Sequence, residues 1–172
     1  MGLFRMAAVF AAAVSVAASD PSAREVGLFG MFPPDVKTVG IVSVSSLIPK
    51  DKFVLGTNLL VRAGYRVKVM PNVLKSVSPA RRARYFEDAW LDPEIDFLLF
   101  SRGGKGASNV VTRIDWKKLE SRKMRVMGFS DVTLVLNAMD LKGVGHPIAG
   151  PMLSRMVSSC TSEPCRWVRK LL

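Results

Sequence analysis

Ile95, Phe97, Leu98, Leu99 and Phe100 form an apolar run that stops at Ser101-Arg102-Gly103-Gly104-Lys105-Gly106. A run this short, apolar at consecutive positions and closed by glycines, reads as a β-strand buried on both faces. Such strands belong to parallel sheets covered by helices, which commits the chain to an α/β architecture. The same unit recurs. Thr38 to Val44 supplies a first strand through Val39, Ile41, Val42 and Val44, Arg66 to Met70 a second, and Met124, Val126 and Met127 another. Helical spacing fills the intervals: Phe53, Gly56, Leu60 and Ala63 precede Gly64, a favoured C-terminal residue. Ser78-Pro79 then opens a helix that buries Ala83, Phe86 and Trp90 and ends at Asp92-Pro93. Serine caps it, and proline in the first turn gives up no needed N–H bond. A short basic helix is expected from Asp115-Trp116 to about Arg122.

The termini read differently. Met1 to Ser19 has one charge, Arg5, followed by an apolar run from Met6 to Ala18 that ends in small residues. That is the pattern of a signal peptide cleaved after Ala18 or Ser19, and the run is too short for a stable membrane span. Residues 20–37 carry glycine and proline, close on Pro33-Pro34, and read as a linker. The expected organisation is therefore a signal peptide over 1–19, a linker over 20–37, one α/β domain over 38–153, and over 154–172 a basic tail or the start of an interdomain linker. Export to the periplasm or beyond follows from this reading, and a cytoplasmic location is the alternative.

Composition narrows the partners. With 172 residues and 49% hydrophobic content the chain can bury a sizeable core. Lys and Arg number 25 against 14 Asp and Glu, a balance that attracts anionic polymers or membrane surfaces. The basic residues scatter through 66–84, 113–125 and 166–170 without interleaved aromatic stacking platforms, which argues for a solvated surface and against nucleic acid.

Chemistry points to Met127 through Thr133. Ser130 stands where a buried strand stops and the apolar segment Val132, Leu134, Val135, Leu136 and Met139 begins. A serine at such a turn is held clear of the sheet beside backbone N–H groups, where an attacking hydroxyl belongs. The competing reading is a helix cap. The 102–106 loop follows another strand, so in a parallel sheet both turns gather at the carboxyl edge and face one crevice. A glycine N–H from that loop and the N–H of Asp131 would then make a two-donor oxyanion hole. No Walker or dinucleotide spacing is present in Arg102-Gly103-Gly104-Lys105-Gly106. Ser45 and Ser46, after the first strand, are candidates for substrate contact or for capping the next helix. His146 is the sole histidine and lies outside any ligand cluster, which argues against a metal site. As a base for Ser130 it would have to come within about 3 Å. Cys160 and Cys165 form a C-x4-C that reads as a small disulfide loop or as two free thiols.

Taken in order, Ser45-Ser46, Arg82 through Ala89-Trp90, Asp92-Pro93, Arg102-Gly103-Gly104, Asp115-Trp116, Gly128-Phe129-Ser130-Asp131-Val132-Thr133 and Gly150-Pro151-Met152 resemble the serine LD-carboxypeptidase family, which includes the microcin-immunity peptidases. The resemblance runs from about Val39 to Met152. It implies a flavodoxin-like or Rossmann-like N-terminal domain with a nucleophile-elbow serine, no cofactor, and hydrolysis of a peptide bond at the carboxyl terminus of a murein peptide. Ser130 matches the nucleophile, Gly104 and Asp131 the backbone oxyanion donors, and Arg102 with Gly103 the rest of the glycine loop. Lys105 stands where the family usually has an aromatic residue, and Ala149 where it often has a histidine. The family draws its Glu and His partners from a C-terminal domain, so the chain is expected to be inactive alone, to need that domain or a homodimer partner, and without it to expose Val144, Ile148, Met152, Leu153, Met156 and Val157 as an apolar patch. The alternative is an inactive module that binds murein peptides or a partner subunit.

Overall fold

The computed structural model describes residues 32–156. Five parallel strands lie in the order β2-β1-β3-β4-β5, with β1 at Thr38–Val42, β2 at Arg66–Val69, β3 at Phe97–Phe100, β4 at Arg125–Gly128 and β5 at His146–Ala149. This is the flavodoxin-type order of a doubly wound sheet. Every residue of β1 and β3 is buried, whereas β2 and β5 are half-exposed edges.

Side chains alternate across the sheet and feed two cores. Leu98, Phe100 and Val126 face α2 (Pro79–Leu91), α3 (Ala107–Val111), α4 (Trp116–Leu119) and α5 (Thr133–Leu141). Val39, Ile41, Phe97, Leu99 and Met127 face α1 (Lys50–Arg62), together with Phe32, Val36, Leu153 and Met156. Phe32 and Val36, in the stretch read as linker, are thus core residues. Burying Phe86 and Trp90 alone removes enough apolar area to contribute about 4 kcal/mol or more.

The helix ends follow from local chemistry. Ser78 Oγ accepts from the Arg81 N–H at 3.3 Å, with Pro79 in the first turn of α2. At the end of α1, Gly64 takes a φ of 89°, while its N–H donates to Val61 and the Tyr65 N–H to Leu60. That paired closure satisfies carbonyls the helix leaves open.

Two expectations change. The basic helix closes at Leu119, and Arg122 lies beyond it with its guanidinium donating to the carbonyls of Trp90, Asp92 and Ile95 in and after the last turn of α2. The apolar residues after α5, expected to form an exposed patch, are largely core: Val144, Met152, Leu153 and Met156 are buried. The reason is close packing at Gly56, where an added Cβ would come within 2.8 Å of Leu153, so the chain after β5 lies tight against α1. Among the described residues no helix is long and apolar enough to cross a membrane. The stretch read as a signal peptide, together with Val157, Cys160 and Cys165, lies outside the described residues.

Candidate active site

In this strand order the chain leaves β1 toward one face of the sheet and β3 toward the other, so their following loops part and leave a crevice at the carboxyl edge. Three loops meet there: 43–49 after β1, 101–106 after β3, and the turn from β4 into α5. Their contacts are polar. Ser45 Oγ donates to Asp131 Oδ2 at 2.5 Å, and the Ala107 N–H donates to the same oxygen at 3.0 Å. Ser46 Oγ accepts from the Lys105 N–H at 3.2 Å. Arg82 Nη1 donates to the Ser45 carbonyl at 2.9 Å, and Arg102 Nη1 to the Leu47 carbonyl at 3.1 Å.

Ser130 occupies the centre of this edge. It begins the 3-10 turn Ser130–Val132 that leads into α5, it is exposed, and it is the only non-glycine among the described residues with positive φ, at 64°. A β-carbon in that conformation is strained by roughly 1–2 kcal/mol. The residues before α5 have no side-chain cap bond, and the residue in the N-cap position is Val132, so Ser130 does not cap the helix. The backbone strain and the open hydroxyl coexist without the compensation a cap would give.

Gly103 faces it directly. A Cβ on Gly103 would lie 3.0 Å from Ser130 Cβ, 3.1 Å from its Oγ and 3.3 Å from Met152 Cε. Gly104 has φ 119°, and a Cβ there would stand 2.3 Å from Ser46 Oγ. Both glycines are therefore demanded by close approach, at Gly103 to the serine and at Gly104 to the loop after β1. At Gly128 an added Cβ would meet Val132 Cγ2 at 2.6 Å, which is how α5 starts so close to the end of β4.

The residues singled out in the sequence, Ser45, Ser46, Arg102, Gly103, Gly104, Ser130 and Asp131, all lie on these three loops. Ser45 is fully buried and its hydroxyl is committed to Asp131, whereas Ser46 is half-buried beside the glycine loop. Neither caps α1, whose N-cap is Pro49. His146 goes elsewhere. It pairs with Arg125 at the amino end of the sheet, while Gly128 pairs with Ala149 at the Ser130 end. Three strand residues separate the two ends, roughly 10 Å, so His146 is no base for Ser130.

Two features escaped the sequence reading. The Asp131 side chain, seen only as a neighbour whose N–H mattered, is the knot that joins all three loops. Arg82 was read as surface charge, although its contact with the Ser45 carbonyl ties α2 to the loop after β1. An acidic residue directly after the serine, at a helix start, was the available signal for Asp131.

Fold and site together define a parallel α/β domain with an exposed, left-handed serine at the carboxyl edge of its sheet, opposite a glycine loop. The family model for the LD-carboxypeptidase N-terminal domain matches residues 39–147, and the chain belongs to that family. A carboxypeptidase candidate of Streptomyces coelicolor, SCO6489, is 28% identical over 123 residues, covering 66% of this chain and 40% of its own. Among solved structures, an MccF-like protein from Bacillus anthracis superposes with a TM-score of 0.66 at 19% identity, covering 72% of this chain and 40% of that one. A muramoyltetrapeptide carboxypeptidase from Oxalobacter formigenes gives 0.61 at 22% identity, with coverage of 72% and 42%. The chain thus spans about two fifths of the length of these relatives.

Proposed function

We propose that this chain provides the nucleophile half of a serine LD-carboxypeptidase acting at the carboxyl end of a murein peptide. The observation that carries the reading is Ser130 itself, an exposed serine held at φ 64° against Gly103 with no structural bond to its hydroxyl to account for the strain. Strain retained at a crevice is characteristic of functional residues. In this reading Ser130 is the serine of a nucleophile elbow. Its Oγ attacks the carbonyl carbon of the scissile peptide bond, and the amides of Gly104 and Asp131 hold the developing oxyanion. Collapse of the tetrahedral species releases the terminal amino acid as the amine. Water then cleaves the acyl-enzyme.

A base must take the Ser130 proton and return it to the leaving amine. Among the described residues the histidine is at the far edge and the Asp131 carboxylate is occupied by Ser45 and Ala107. The Glu and His that the family resemblance implies would come from a C-terminal domain or a second polypeptide. Residues 32–156 alone would bind a murein peptide without turning it over, and the same occupied carboxylate supports that second reading. An envelope location suits this substrate.

The test measures release of D-alanine from a murein tetrapeptide by the chain mixed with the separately expressed C-terminal domain of the Streptomyces coelicolor relative. Release with wild type and none with Ser130→Ala is expected. Equal release by Ser130→Ala removes the serine from the chemistry, and robust release by the chain alone refutes the outside base.

A further inference from the structure

Ser45 is a fully buried serine at the edge of an open crevice, and burying a hydroxyl is costly unless it is bonded. Its Oγ donates to Asp131 Oδ2 at 2.5 Å, the length of a bond to a charged acceptor. The Ala107 N–H reaches the same oxygen at 3.0 Å, so the segments after β1 and β3 both close on one carboxylate. The backbone of Ser45 is fixed as well. Arg82 Nη1 donates to its carbonyl at 2.9 Å and also borders Gly106, where an added Cβ would come within 3.3 Å of that nitrogen. The neighbouring carbonyls of the same loop are taken up too: Asn72 Nδ2 donates to that of Ser43, Ser43 Oγ to that of Ser46 at 3.4 Å, and Arg102 Nη1 to that of Leu47 at 3.1 Å. The loop after β1 is thus held from the turn after β2, from α2 and from the glycine loop.

What this clamp holds is the residue after Ser130. Ser130 and Asp131 open the 3-10 turn Ser130–Val132, with Ser130 at φ 64°. A non-glycine residue stays in that conformation only where the structure around it over-determines it. On one side β4 does so, with Gly128 paired to Ala149 and packed close on Val132. On the other side the restraint is the Asp131 carboxylate and, through it, the Ser45 hydroxyl. We propose that Ser45 is a positioning residue: backed by Arg82, its hydroxyl holds Asp131 so that the turn keeps Ser130 left-handed and against Gly103. The inference rests on the reading of Ser130 as a nucleophile. It replaces the expected role of Ser45 in substrate contact, because a serine hydroxyl has one proton to donate and this one is given to Asp131. Ser45 need not touch a substrate to matter, since misplacing an attacking atom by about 1 Å is enough to slow a reaction a hundredfold.

The test follows the Ser130 backbone by NMR in the isotope-labelled full chain, through its α- and β-carbon shifts and its HN–Hα coupling, which report φ and need no turnover. Wild type should show the left-handed signature. Ser45→Ala should move Ser130 and Asp131 toward extended or averaged values, while Val39 and Phe97, paired at the far end of the sheet, keep their wild-type resonances. Arg82→Met, which leaves the buried serine in place, should give the same change at smaller size, and it decides the matter if Ser45→Ala does not fold. In the D-alanine assay with the added C-terminal domain, Ser45→Ala should lower kcat roughly ten- to a hundredfold at an unchanged KM. Unaltered Ser130 signals in the folded Ser45→Ala variant overturn the proposal. So does a change spread evenly over the core resonances, or failure of both variants to fold, since either reduces the network to general stability. A raised KM with kcat intact also overturns it and returns Ser45 to substrate contact. The Ser130 reading fails separately: if Ser45→Ala frees the turn as expected and Ser130→Ala still releases D-alanine, the nucleophile is lost and the positioning of the turn stands.

Discussion

Replacing Ser130 by glycine should stabilise the protein while destroying its proposed chemistry. At φ 64° a β-carbon costs roughly 1–2 kcal/mol, and glycine is free of that cost. Glycine also gives the unfolded chain more freedom, an opposing effect of about 0.4–1 kcal/mol. The net expectation is a gain of about 0.5–1 kcal/mol. Ser130→Ala keeps the strain, and since the exposed hydroxyl makes no cap bond it should lie within about 0.5 kcal/mol of wild type. Urea titration followed by tryptophan fluorescence reads both, because Trp90 is fully buried in the core. The glycine variant should shift the midpoint upward at unchanged slope. If instead Ser130→Ala loses about 1 kcal/mol and Ser130→Gly a few tenths, Ser130 is a cap and the strain argument fails.

Other outcomes follow from the same loops. Gly104→Ala should cost about 2–4 kcal/mol in the same titration, combining backbone strain with a clash on Ser46; a loss below 1 kcal/mol would show that the loop yields easily. Asp131→Ala strands the buried Ser45 hydroxyl and the Ala107 N–H and should cost about 2–4 kcal/mol, whereas Asp131→Asn keeps an acceptor and should cost about half as much; equal losses would remove the knot. Lys68 is held above its ordinary value of 10.5 by hydrogen bonds to Asp92 and Glu94. Its contribution is therefore full below that value and declines as pH rises through the raised one, so a Lys68→Met variant and wild type should converge in stability under strongly alkaline conditions.

The central strands were legible because burial on both faces leaves continuous apolar sequence, as in Phe97–Phe100. The edges were harder. β5 reads His-Pro-Ile-Ala, half-exposed and proline-bearing, a pattern that carries no strand signal of its own. α3, five residues after a glycine loop, is too short to show a period. The burial of Leu153 and Met156 depends on packing against α1 and its Gly56, a pairing of distant segments that no local pattern encodes. The same is true of the site. Glycine and serine at strand ends marked where chemistry would gather, but the positive φ of Ser130 and the two bonds to Asp131 are set by which loops the sheet order brings together.

That sheet order has a consequence for synthesis. Each hydrogen-bonded strand pair joins segments with at least one helix between them, so no hairpin can form as the chain emerges and strand pairing is entirely long-range. The bond from Ser45 to Asp131 closes over 86 residues. A growing chain that has already made β1, β3 and the glycine loop still holds Ser45 without its acceptor, and the serine that completes the crevice arrives one residue before the carboxylate that locks it. Among the described residues, the edge that carries Ser130 is thus secured only after β1, β3 and the glycine loop are already made.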